Sequence, residues 1–109
     1  MLFVTGPLYS GKKDYVKLRF GWDDTQLASH AVWDVQELAA QEEALEALAD
    51  RLSAHEVVIA TEVGGGVVPI DPQARRAREA AGRLSCLLAQ RADTVIRVFC
   101  GLPLLLKGE

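Results

Sequence analysis

At 109 residues, 50% of them apolar and 25% charged, the chain is long enough to bury one hydrophobic core over residues 1–109 and too apolar for intrinsic disorder. Its net charge of −3 excludes a general attraction to nucleic acid or to an anionic membrane, so any anion site must be local. Cys86 and Cys100 are too few for a disulfide framework and belong to no C-x-x-C pair, which reads as a reduced, cytoplasmic setting.

The chain opens on Leu2-Phe3-Val4, an apolar run without the charged leader of a signal peptide, and this predicts a strand. Gly6, Pro7, Leu8, Tyr9, Ser10, Gly11, Lys12 and Lys13 then follow the phosphate-loop pattern G-x-x-x-x-G-K-[ST] in every position but the last. In that pattern the glycines let backbone N–H groups curl around a phosphate, the lysine reaches the outer phosphates and the final hydroxyl holds Mg²⁺. Lys13 offers a metal no ligand. The spacing predicts a helix over 12–20, stopped by Gly21, with Tyr15, Val16 and Phe20 inward. Its N-terminus adds partial positive charge to the phosphate position.

Residues 22–29, with Asp23, Asp24 and Thr25, predict a loop with one helical turn. Ala31-Val32-Trp33-Asp34-Val35 predicts a short buried strand with a carboxylate near its carboxyl end. Asp34 there either helps to hold Mg²⁺, as an acid on a neighbouring strand does in P-loop proteins, or caps the next helix. Residues 36–54 predict one amphipathic helix with Leu38, Leu45, Leu48 and Leu52 on one side and its acids in solvent.

Residues 56–61, Glu-Val-Val-Ile-Ala-Thr, predict a strand covered on both faces. Glu62 and the triple glycine Gly64, Gly65 and Gly66 follow at its carboxyl end, where open α/β sheets place ligands and where ordinary turns also occur. Asp71-Pro72 starts the longest helix, with Ala74, Ala77, Ala81, Leu84 and Leu88 as its packing stripe. Arg75, Arg76, Arg78 and Arg83 lie on its other faces, Arg75 at pairing distance in sequence from Glu79. Residues 94–100 predict the last clear strand, and 101–107 turn back as an edge strand whose leucines need a cover, a subunit contact being one. Its apolar run is far too short to span a bilayer.

Residues 62–69, the segment Ala81-Gly82-Arg83-Leu84, the pair Ala92-Asp93 and the ending Gly101-Leu102-Pro103 occur here in one order. Together with the glycine loop they resemble the bifunctional adenosylcobinamide kinase and adenosylcobinamide-phosphate guanylyltransferase family of cobalamin assembly. The resemblance is densest over 57–107. It implies an α/β, RecA-like P-loop NTPase fold with a mainly parallel sheet of four to five strands and flanking helices. It also implies GTP or ATP bound at residues 6–13, Mg²⁺ as the metal, a propeller-like homotrimer, phosphorylation of the adenosylcobinamide hydroxyl, and GMP transfer through a histidine adduct.

On this basis Lys12 holds the β and γ phosphates, Asp34 holds metal directly or through water, and Glu62 orients or deprotonates the attacking hydroxyl. Three departures stand out. The segment that carries the family's guanylylated histidine is absent between the first helix and Asp34, neither His30 nor His55 takes its place, and Lys13 removes the loop's hydroxyl. The sequence therefore fits a shortened relative with nucleotide binding and kinase chemistry, a non-catalytic nucleotide- or corrinoid-binding module, or a structural oligomeric remnant.

Overall fold

The computed structural model describes residues 1–41, 44–63 and 70–109; the triple glycine lies outside them. Strand β1 (Leu2–Gly6) leads into a loop and helix α1 (Lys12–Phe20), then α2 (Asp24–His30), the short strand β2 (Ala31–Val32) and a 3₁₀ segment (Val35–Gln41). Helix α3 (Leu45–Leu52), strand β3 (Val57–Thr61), helix α4 (Pro72–Arg91) and strands β4 (Thr94–Phe99) and β5 (Leu102–Lys107) complete the chain.

The sheet order is β2-β3-β1-β4-β5, parallel except for the β4-β5 pair. This is the expected α/β architecture. Alternate side chains of the strands feed two cores. Leu2, Val4, Val57, Ile59, Ile96 and Val98 meet Val16 of α1 and Leu27 of α2 on one face. Phe3, Val58, Ala60 and Val95 meet the 3₁₀ segment, α3 and α4 on the other. The chain thus leaves β1 toward one face while the connections into β3 and β4 use the opposite face. That divergence opens a crevice at the carboxyl end of β1.

Helix α4 begins at an Asp71 side chain that accepts from the Gln73 N–H, with Pro72 in its first turn, and buries Ala81, Leu84 and Leu88 as the stripe predicts. Four expectations need correction. Residues 36–54 are not one helix, because the faces buried by Val35 and Ala39 and by Leu48, Ala49 and Leu52 lie roughly a third of a turn out of phase at 3.6 residues per turn. Leu38 is accordingly 42% exposed. The loop expected at 22–29 is mostly helix α2, opened by a capping box in which Asp23 and Gln26 satisfy each other's backbone N–H groups. Phe20 is 41% exposed and stacks on Trp22, with ring centroids 4.3 Å apart, instead of entering the core.

Strand β2 is also shorter than predicted. Asp34 adopts φ 56°, which ends the extended backbone, and the Gln36 side chain accepts the Thr61 N–H at 2.9 Å beyond the paired residues. Strand β5 is the sheet's edge, and Leu102, Leu104, Leu105 and Leu106 are all exposed. No helix among the described residues is long and apolar enough to cross a membrane.

Two glycines separate backbone necessity from simple tolerance. A Cβ on Gly6, at φ 156°, would stand 2.2 Å from the Val98 carbonyl oxygen, whereas one on Gly82 in α4 would meet nothing within 4 Å. Gly6→Ala is expected to destabilise by about 1–3 kcal/mol, as overpacking does, and Gly82→Ala to stabilise by about 0.5–1 kcal/mol. Urea unfolding of the two variants checks the opposite signs.

Candidate functional site

The crevice at the end of β1 is a cleft of about 460 Å³ lined by Leu8, Tyr9, Ser10, Gly11, Lys12, Lys13, Asp14, Trp33, Asp34, Ile59 and Thr61. Its floor is the loop between β1 and α1. Gly11 takes φ 89° at the helix entry, and its carbonyl accepts the Tyr15 N–H at 2.9 Å, so the first turn of α1 begins directly at the cleft. The Ser10 carbonyl accepts the Gly101 N–H at 2.8 Å, tying the loop to the β4-β5 turn.

Strain collects around this loop. Tyr9, Asp34 and Cys100 are the three non-glycine residues with positive φ among those described, at 58°, 56° and 51°. One belongs to the loop, one lines the cleft and one precedes the Gly101 that bonds to Ser10. Such conformations cost on the order of 1 kcal/mol or more each and persist only where the surroundings impose them. Tyr9 stands at the loop tip, 94% exposed.

Lys12 is only 8% exposed. Its Nζ donates to the Pro7 carbonyl at 2.7 Å and to the Ser10 hydroxyl at 3.4 Å, so the ammonium is folded back inside the loop. Burial pushes its pKa below the ordinary lysine value, and the charges of Asp34 and then Glu62 push it back up. A buried cation beside a helix N-terminus is suited to an anion, which supplies the charge that burial takes away.

Lys13 lies outside this nest. Its Nζ stands 5.0 Å from the centroid of the Trp33 ring, a cation–π contact worth about 0.5–1 kcal/mol at an exposed position. Asp34 is exposed on the cleft wall. Its carbonyl, and not its carboxylate, accepts the Glu37 N–H of the following turn at 3.2 Å, so it does not cap that segment by its side chain.

Glu62 lies just beyond β3 and Arg97 lies on β4, the two strands that flank β1. The carboxylate accepts from Arg97 Nε at 2.7 Å and from the second guanidinium nitrogen at 2.9 Å, a fork that bridges the end of β1. Glu62 raises the Arg97 pKa above its ordinary value. Arg97, Trp33 and Thr61 are members of the site's surroundings that the sequence pattern does not disclose. Each sits on or beside a strand, and only the sheet order brings them to the loop.

The two histidines do not join them. His30 precedes β2 and His55 precedes β3, which puts both at the amino-terminal edge of the parallel strands, whereas the loop lies at the carboxyl edge. His30 Nδ1 is 2.9 Å from Glu56 Oε1 and its ring stacks on Trp22.

The site suits polyphosphate better than a resident magnesium ion. Mg²⁺ is ordinarily held by one or two carboxylates together with substrate phosphates. Here Asp14 lies 3.7 Å from Lys17 Nζ, which leaves Asp34 as the one cleft carboxylate without an ion-pair partner among the described residues. No group of three or more His, Cys, Asp or Glu among the described residues is placed to hold a metal. The position after Lys12 is a cation. Two unit charges about 4 Å apart repel by about 4 kcal/mol at an effective dielectric near 20, and a divalent ion doubles that.

The family model described as cobinamide kinase / cobinamide phosphate guanyltransferase (CobU) matches residues 20–106. The loop at 6–13 therefore lies before the matched stretch. The chain is also 37% identical over 76 residues to the bifunctional adenosylcobalamin biosynthesis protein CobP of Pseudomonas aeruginosa. That similarity takes in 70% of this chain and 44% of the relative, so the match spans less than half of the relative's length.

Burial of the Lys12 charge has a pH signature. Its folded pKa lies below the unfolded value, so the folded state sheds the proton first as pH rises. At lower pH the lysine is charged in both states and the burial cost is fully present. Stability of the wild type relative to Lys12→Met should therefore rise as pH climbs through the interval just below the ordinary lysine value of 10.5. Urea midpoints of both proteins across that interval check the sign; a falling difference would contradict it.

Proposed function

The chain belongs to the cobinamide kinase / cobinamide phosphate guanyltransferase family, and from that premise we propose that residues 6–13 bind the polyphosphate of GTP or ATP in a cobalamin-biosynthesis kinase. The observation that carries this reading is the Lys12 ammonium, buried inside a glycine loop between a central parallel strand and a helix N-terminus. Loop N–H groups and Lys12 hold the β and γ phosphates. Burial lowers the Lys12 pKa, and the charges of Asp34 and Glu62 favour its ammonium form against that burial.

In the proposed reaction the hydroxyl oxygen of adenosylcobinamide attacks the γ phosphorus. A new P–O bond forms, the bond to the β–γ bridging oxygen breaks, and the hydroxyl proton leaves to a carboxylate. Glu62 is the proposed acceptor, which requires Arg97 to release it. Asp34 is the one cleft carboxylate without an ion-pair partner among the described residues and would be the residue to hold magnesium, and Lys13 stands where the loop pattern has its hydroxyl, so no step is routed through the metal. Guanylyl transfer is not proposed, because neither histidine reaches the carboxyl edge of the sheet.

One observation favours a second reading, a nucleotide-binding module without catalysis: both Glu62 oxygens are already engaged by Arg97. A homotrimer accompanies either reading, and the uncovered leucines of β5 support an assembly of copies.

Calorimetric titration with GTP and ATP is expected to detect binding that Lys12→Met weakens about 10- to 100-fold, the loss of a charge-assisted contact. Incubation with adenosylcobinamide and γ-labelled GTP is expected to label the corrinoid. Binding without transfer would select the second reading. Absence of binding at millimolar nucleotide would overturn both. Light scattering of the same samples is expected to give the mass of three chains, and a clean monomer would remove the trimer.

A further inference from the structure

Resting on the proposed polyphosphate site, we infer that Lys13 stands in for the divalent cation, so that the cleft takes a metal-free polyphosphate between the ammonium groups of Lys12 and Lys13. The two lysines are held in different ways. Lys12 is buried and fixed by the Pro7 carbonyl and the Ser10 hydroxyl. Lys13 is exposed, at the start of α1, and its Nζ lies over the Trp33 ring on the same cleft wall. One cation is built into the loop, and the other rests on an aromatic face that it can leave.

The position of Lys13 argues for an anionic ligand. A cation in the first turn of a helix faces the positive end of the helix dipole, an arrangement that bound negative charge relieves. Two lysines occupy that turn, and Asp14, its one acid, lies 3.7 Å from Lys17. A magnesium ion carried in on the phosphates would meet the Lys13 ammonium and Asp34, the one cleft carboxylate without an ion-pair partner among the described residues. An uncomplexed polyphosphate would meet two complementary charges instead. The loop thus selects the ligand by its net charge and disfavours the magnesium complex.

Departure of Lys13 from Trp33 gives the event an optical signal. The test titrates the full chain with sodium tripolyphosphate and with GTP, in EDTA and in excess Mg²⁺, by calorimetry and by indole fluorescence in a Trp22→Phe background that leaves Trp33 as the sole indole. Binding in EDTA should equal or exceed binding in Mg²⁺, with a change in Trp33 emission on binding. Lys13→Ser should lose about tenfold or more of its affinity in EDTA, the effect of one charge-assisted contact, and should gain affinity when Mg²⁺ is added. Wild-type binding that depends on Mg²⁺, or a Lys13→Ser variant indistinguishable from wild type in EDTA, would overturn the inference while leaving the nucleotide site standing. Absence of binding by the wild type under every condition would overturn both.

Discussion

Only a hydrogen atom fits on the Cα of Gly6. Strand β1 runs between two parallel neighbours, and at its end the backbone passes so close to the Val98 carbonyl that a methyl group there would overlap the oxygen. This close approach lets the chain turn out of the middle of the sheet without pushing β4 aside. The loop that follows is held by the Lys12 ammonium on Pro7 and by the Ser10 carbonyl on Gly101, and helix α1 begins where that loop ends. The cleft, its cation and the entry of the helix all depend on the passage at Gly6.

The electrostatics follow from that geometry. The chain as a whole carries a charge of −3, yet two adjacent lysines are brought to one crevice, one buried and one parked on an indole. Family membership shows the lineage, but the matched stretch begins after the loop, so the character of the loop is argued from its own contacts. Those contacts suit an anion. They suit a metal poorly, because an ammonium replaces the usual hydroxyl and the fork with Arg97 occupies Glu62.

Much of this scaffold was legible from residue order. The β-branched runs at 57–61 and 94–99 need cover on both faces and therefore become inner strands, and Asp71-Pro72 marks the start of α4 as capping chemistry requires. Helix α2 was legible in principle, since Asp23 and Gln26 stand at capping-box spacing, but the polar content of 22–29 reads as loop. The division at 36–54 was harder. Leucine spacing suits one helix, whereas the sheet and α4 demand two buried faces out of phase.

The candidate site divides in the same way. Residues 6–13 announce themselves by spacing, because backbone geometry needs the glycines. Trp33 and Arg97 do not, because each looks like an ordinary strand residue until the order β2-β3-β1-β4 is assembled. Likewise, the Glu62–Arg97 fork joins a residue just beyond β3 to one on β4, which no local pattern relates.

The proposed anion site is this one loop and not the arginines of α4. The most direct measurement is a backbone amide NMR titration of the isotopically labelled chain with inorganic pyrophosphate. The largest shifts are expected at residues 8–14, with Trp33 and Asp34 following and Arg75, Arg76, Arg78 and Arg83 nearly still. Dominant shifts along α4, or no saturable shifts in the loop, would contradict it.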